Sequence, residues 1–398
     1  GNLYDLHFSW ELFWKKCLVK SKDYSYIAKL DISDFYNQIY HHSVENQLIE
    51  SGIPNQVTKW IINLLKSITA GVSRGVPVGP HSVHLLAETS IDPIDNSLIS
   101  RGIEFCRYVD DIVLFCNSKK EAEVFVYIIA DILDKQQRLS LQNQKTEIFT
   151  RSTFEEHCQE MINDRPINNF ESNIINIVRK YSGGNPYKIV YLSDISDDDL
   201  KEFNETAINK IFGDYLKQKE IDYVRLRWFI RRLSQVGHPS GIKYCLEHFK
   251  KLTPAISEVC QYFISVSNTA DIKWQDVGNK LIELLQDEII KSNEYFQMSI
   301  YSLFNRKIQF NHLYKLLENY SNISPLFQRE IIIAAYKNGA CDWIRELKES
   351  YNGMDPWTKR SFLIAYSILP KEERKYFLNS VTPSSKMEEL IIKWAKSK

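Results

Sequence analysis

Along the first 150 residues the spacing of apolar positions keeps changing. After about residue 160 it settles into one repeating texture. Residues 26–32 (Tyr-Ile-Ala-Lys-Leu-Asp-Ile) are a strand-length run, followed by Ser33-Asp34 and the aromatic pair Phe35-Tyr36. Residues 44–50 look helical, and Val57, Trp60, Ile61, Leu64 and Leu65 recur at helical spacing within 56–67. Residues 74–80 (Arg-Gly-Val-Pro-Val-Gly-Pro) are punctuated by Gly and Pro, which predicts a loop or tight turn. Val83, Leu86, Ala87, Ile91, Ile94 and Leu98 then predict a helix over 82–100. Two short β runs, 104–108 and 112–116, are joined across Val109-Asp110-Asp111 and predict a hairpin. An amphipathic helix over 119–137 and a strand over 139–149 follow. Strand, helices, loop, helix, hairpin, helix, strand is the order expected of an α+β domain with an antiparallel sheet.

Beyond residue 160 one helix-length amphipathic segment follows another, from 173–181 and 198–219 through 275–290 to 356–368 and 386–396. Gly237-His238-Pro239, Pro254, Pro325 and Asp355-Pro356 separate them. The pattern predicts an all-α C-terminal domain, either HEAT-like or an irregular helical-repeat array. The expected division is 1–155 and 156–398. Asp197-Asp198-Asp199 precedes a helix and reads as its cap. Residues 224–232 interleave arginines with Trp228 and Phe229, which would suit single-stranded DNA. The favoured reading is an amphipathic helix with Leu226, Phe229, Ile230 and Leu233 buried.

Composition adds limits. Fifty basic and fifty acidic residues among 398 give a formal net charge of zero. A protein that grips a long duplex usually carries a basic excess, so extensive duplex binding is disfavoured. Seven scattered cysteines without a Cys-x-x-Cys pair indicate neither a zinc ribbon nor a disulfide framework. No apolar run approaches a membrane span. A cytoplasmic protein is expected. His41-His42, and His84 with Glu88, lack a third metal ligand and are read as packed or surface residues.

The chemistry sits in Tyr108-Val109-Asp110-Asp111. Adjacent aspartates are common in polar turns, so the tetrapeptide alone is weak. Here it lies between two β runs, and an upstream strand ends in Asp31. Three converging carboxylates repel one another unless a cation sits between them. Two Mg²⁺ ions held there would serve phosphoryl transfer, with Mn²⁺ as an alternative.

These residues resemble the reverse-transcriptase family. Residues 30–36 look like its first catalytic motif, and Tyr108 to Asp111 match its metal hairpin. Residues 74–80 resemble its Gly-x-Pro-x-Gly nucleotide loop, and 142–146 the later motif whose Lys reaches the leaving phosphates. The resemblance covers about residues 24–150. It implies a fingers and palm fold, catalytic Asp31, Asp110 and Asp111, and metal ligation by these three with the Ile32 carbonyl. It also implies nucleotide binding by Asp34, Phe35, Tyr36, Arg74, Gly75, Pro77, Gly79 and Lys145. Tyr36 would be the steric gate that selects dNTPs.

Two departures stand out. Val78 replaces the frequent Gln of the nucleotide loop, and only thirty residues precede Asp31, which implies reduced fingers. Residues 74–81, Leu85-Leu86-Ala87-Glu88 and the helical C-terminus resemble the abortive-infection branch of bacterial reverse transcriptases. That branch implies anti-phage defence and untemplated DNA synthesis yielding a single-stranded product, sometimes primed from a protein hydroxyl, here Tyr4. The alternatives are a retron-like enzyme copying an RNA template and a non-catalytic helical scaffold. A long helical array is compatible with a homo-oligomer.

Overall fold

The computed structural model describes residues 9–185, 188–266, 272–310 and 312–398. They divide into two units, 1–165 and 166–398.

The first unit is a four-stranded antiparallel sheet covered by helices on both faces. β1 (Tyr26–Asp31) pairs with β3 (Asp111–Cys116) on one side and β4 (Glu147–Thr150) on the other. β2 (Phe105–Tyr108) completes the order β2-β3-β1-β4. Because side chains alternate along a strand, Ala28, Leu30, Ile112 and Leu114 enter one core. That core includes Ala87, Ile91, Ile94 and Leu98 of α5 (His81–Ser100) and Ile129 and Leu133 of α6 (Lys119–Gln137). Ile27, Val113 and Phe115 enter the opposite core, with Phe13, Trp14 and Cys17 of α1 (Trp10–Ser21) and Phe154 and Cys158 of α7 (Arg151–Ile162).

Helix α1 is absent from the sequence expectation. Ser9 caps it by accepting the Leu12 amide at 3.2 Å, and Trp10, Phe13, Trp14, Cys17 and Ser21 lie at helical spacing toward the sheet. The expected strand over 139–149 is also revised. Only Glu147–Thr150 is strand; Asn143–Lys145 is a single 3₁₀ turn, and Ile32 bridges to Leu141. The unit boundary falls at 165 rather than 155, because α7 packs on α1 and β4.

Every described regular element of the second unit is a helix. The helix Tyr223–Val236 packs on Ile256–Ser265, which packs on Glu294–Arg306. That helix packs on Pro325–Lys337, then come Pro356–Ala365 and Lys386–Ser397. Each of these packings buries an apolar helix face that one helix alone would leave in water. Leu226, Phe229, Ile230 and Leu233 are buried, as the amphipathic reading expects, while the guanidinium groups of Arg225 and Arg232 each lie over the Trp228 ring, at 4.5 and 4.6 Å. Two expected long helices are broken. The stretch 198–219 becomes Asp197–Leu200 and Glu205–Leu216, and 275–290 becomes Trp274–Leu284 and Glu288–Lys291. Asn204 and Asp287 each cap the second helix of their pair. No helix among the described residues is long and apolar enough to cross a membrane.

Candidate active site

Strand register brings the aspartates together. β1 and β3 pair so that Asp31 lies directly opposite Asp111. Paired residues share a face, and Cβ atoms across such a pair are about 5 Å apart. The Ile32 amide donates to the Asp110 carbonyl at 3.1 Å, which ties the residue after Asp31 to the hairpin tip. Val109 turns the hairpin with φ +57°, a left-handed conformation that strains a β-branched side chain.

The electrostatics follow from this crowding. Burial pushes the Asp111 carboxyl up to about 6, and the Asp110 charge adds to the effect. Asp110 is raised by burial first and then by Asp31, against a hydrogen bond to its own backbone. Lys145, on the turn before β4, places Nζ 2.8 Å from Asp31 Oδ2, and this bond raises the ammonium above its usual value. The aspartates thus share a place where positive charge is stabilised, and a lysine supplies one such charge.

Hard carboxylate oxygens are the donors Mg²⁺ prefers. Among the described residues, however, no three His, Cys, Asp or Glu side chains are close enough to form a metal cage by themselves. The expected ligand set of Asp31, Ile32, Asp110 and Asp111 is therefore not assembled as a complete shell. Mg²⁺ commonly takes one or two carboxylates and completes its octahedron with substrate phosphates and water. The donor chemistry fits an ion that arrives with its substrate.

The Gly-Pro loop 74–80 is tied by backbone bonds to the segment that follows Asp31. Val76 N donates to Tyr36 O and Gly75 N to Ile39 O, each at 2.8 Å. His41 Nε2 donates to Gly75 O at 2.8 Å, which gives the buried histidine a structural task. Gly75 and Gly79 both have φ +96°, a backbone conformation that side chains disfavour. Asp34, Arg74, Gly75 and Pro77 line a shallow cavity of about 540 Å³ together with Asn37, Gln38, Ile68, Thr69, Val72 and Val76. The Asp34 carboxylate accepts from Asn37 Nδ2 at 2.6 Å and Gln38 Nε2 at 3.0 Å, and Arg74 Nη1 donates to Gln38 Oε1 at 3.1 Å.

Phe35 does not belong with these candidates. It is 3% exposed and belongs to the same core as Leu30 and Ile39, so its contribution is packing, with its ring edge against Tyr36. Tyr36 is half-buried, and its hydroxyl lies 2.5 Å from His84 Nδ1. Tyr4 lies outside the described residues.

The sequence reading passed over Arg107. Its guanidinium donates to Asp95 from Nε at 2.9 Å and Nη2 at 2.6 Å, to Glu88 from Nη1 at 3.2 Å, and to Val109 O at 2.9 Å. Burial opposes the charge, but Asp95 and Glu88 outweigh it and hold the guanidinium protonated. Arg107 therefore fastens the strained turn that carries Asp110 to two acidic residues of α5. The sequence signal was Glu88 and Asp95 one helical face apart, opposite an arginine just before the hairpin tip. On the sheet face of Asp31 and Asp111, Trp10 and Phe13 of α1 meet the Tyr108 ring at 5.2 and 5.7 Å.

No curated protein matches the chain. The sequence pattern described as reverse transcriptase (RNA-dependent DNA polymerase) matches residues 3–224, more than half of the chain. The match takes in the whole sheet, the aspartate cluster, the Gly-Pro loop 74–80 and the first helices of the second unit. With nucleotide substrates and nucleic acid implied by that match, the chain belongs to the reverse transcriptase family.

Proposed function

We propose that the protein is a DNA polymerase that joins dNTPs without a template, in a cytoplasmic anti-phage defence role of the abortive-infection kind. The observation that carries the polymerase reading is the β1–β3 register, which sets Asp31 opposite Asp111 with Asp110 at the adjoining tip. In this reading Asp31, Asp110, Asp111 and the Ile32 carbonyl hold Mg²⁺ or Mn²⁺. A metal held there would supply Lewis-acid chemistry, lowering the pKa of the attacking hydroxyl and offsetting charge on the departing pyrophosphate. Lys145 exchanges Asp31 for the triphosphate when substrate enters. Arg74, Gly75, Pro77 and Gly79 shape the nucleotide pocket with Asp34, and Tyr36 blocks a ribose 2′-hydroxyl.

One feature favours synthesis without a template: the zero net charge lacks the basic excess of a duplex-gripping protein. Helix α1 begins at Trp10, whose ring packs on Tyr108, and Tyr4 precedes Trp10 by six residues, a stretch that reaches about 20 Å at most. Tyr4 is the proposed primer. Its oxygen would bond to the α-phosphorus as the bond to pyrophosphate breaks, with the phenol proton passing to solvent. The helical unit would guide product or join subunits. One observation favours template-directed synthesis instead, namely that the matching family is described as RNA-dependent.

The test is incorporation of each labelled dNTP by purified protein with Mg²⁺ and no added nucleic acid, resolved on a denaturing protein gel. Label that migrates with the polypeptide, and is lost in Asp110→Asn and in Tyr4→Phe, supports the proposal. Label that persists in Tyr4→Phe moves the priming site. Activity only after primed RNA is supplied replaces untemplated synthesis with template copying.

A further inference from the structure

Discrimination by a steric gate rests on rigidity. Ribose and deoxyribose differ by one hydroxyl, and a ring that swings aside by about 1 Å no longer excludes it. Tyr36 lies on a helix of only four residues, Phe35–Gln38, whose own hydrogen bonds hold the side chain weakly. Its ring is steadied from one side by Phe35, edge on at 5.3 Å. From another side the His84 ring meets it edge on at 5.5 Å and 83°, and the Tyr36 hydroxyl reaches His84 Nδ1 at 2.5 Å. His84 stands in the first turn of α5, directly after the nucleotide loop, and that loop is bonded to the backbone of Tyr36 through Val76.

We propose that His84 is a positioning residue for sugar selection: by accepting the Tyr36 hydroxyl proton at Nδ1 it locks the gate ring against the nucleotide loop. The proposal rests on the reading of Tyr36 as the gate. It adds a consequence that a purely steric gate lacks. For a purely steric gate Phe at position 36 is as good as Tyr, because the ring alone does the excluding. With His84 as the lock, the phenolic oxygen matters as much as the ring. One hydrogen bond of this kind corresponds to about a fivefold to tenfold change in an equilibrium or rate ratio.

The experiment measures kcat/KM for each dNTP and its matching NTP with Mg²⁺, on the full chain, and compares the dNTP/NTP ratio within each protein. Tyr36→Phe and His84→Leu should each lower that ratio about fivefold to tenfold. The double variant should fall no further than either single one, since both remove the same bond. His84→Asn, whose amide oxygen can stand near the Nδ1 position, should recover most of the ratio. Tyr36→Phe keeps the ring and its packing, so it remains informative even if a His84 variant folds poorly. A Tyr36→Ala protein with an unchanged ratio removes the gate itself. A ratio that collapses in Tyr36→Ala but stays at the wild-type value in Tyr36→Phe and His84→Leu keeps the gate and overturns the lock.

Discussion

Asp111 carries a cost that can be measured without any assay of activity. Its carboxyl is largely buried beside Asp110 and is pushed up to about 6, against 3.8 for a free aspartate. The folded protein therefore holds the Asp111 proton more tightly than the unfolded chain does. Stability falls as pH rises from about 4 through 6, and the full penalty is present above 6. The gap between the two values corresponds to about 3 kcal/mol. Asp111→Asn keeps the shape and removes the charge. In metal-free protein at pH 8 the variant should be the more stable by about 3 kcal/mol at most, and the advantage should vanish near pH 4. Because the chain has two units, the suitable measurement is hydrogen exchange of peptides covering β1 and β3, with chelator present and both proteins at the same pH. Added Mg²⁺ should then protect wild type and leave the variant nearly unchanged. A variant that is no more stable at pH 8, or whose advantage does not shrink on acidification, would refute the argument that mutual repulsion and burial strain this cluster.

Other outcomes follow from neighbouring contacts. Arg107→Met should destabilise the first unit by about 3 kcal/mol, because Asp95, with its side chain only 22% exposed, loses its cation. It should also depress nucleotide incorporation by freeing the Val109 turn; wild-type exchange rates in β2 and β3 would contradict this. Lys145→Met should change stability by less than about 1 kcal/mol, since the lysine side chain is 60% exposed, while lowering turnover at saturating dNTP at least tenfold. Unchanged turnover would detach Lys145 from the triphosphate. Trp14→Ala should cost about 3–5 kcal/mol, read by chemical denaturation followed through the first unit, because this fully buried ring joins α1 to α7 and the sheet.

The sequence by itself determined a good part of this protein. A strand ending in Asp31, a β hairpin tipped by Asp110 and Asp111, and a Gly-Pro loop before a long helix were legible, since period, turn residues and short motifs are local properties. The amphipathic pattern of 224–232 likewise identified its buried face, because Leu226, Phe229, Ile230 and Leu233 can share only one side of a helix. Tertiary structure decided the rest. Which strand lies beside β1, and in what register, depends on pairing over eighty residues or more, yet that register alone puts Asp31 opposite Asp111. Phe35 reads like its neighbour Tyr36 in sequence; only burial separates a core residue from a candidate gate. The covered side of α4 (Asn55–Ile68) was equally hidden: Ile62 and Leu65 are buried, whereas Trp60 and Leu64 are about 60% exposed. His84 was not legible as a working residue, because its partner lies 48 positions away and a lone histidine carries no period, and the acidic pair on α5 that marks Arg107 gains meaning only once Asp95, 12 positions away, is seen to meet it. Local patterns fix what each segment can form, while long-range contacts decide which side chains meet.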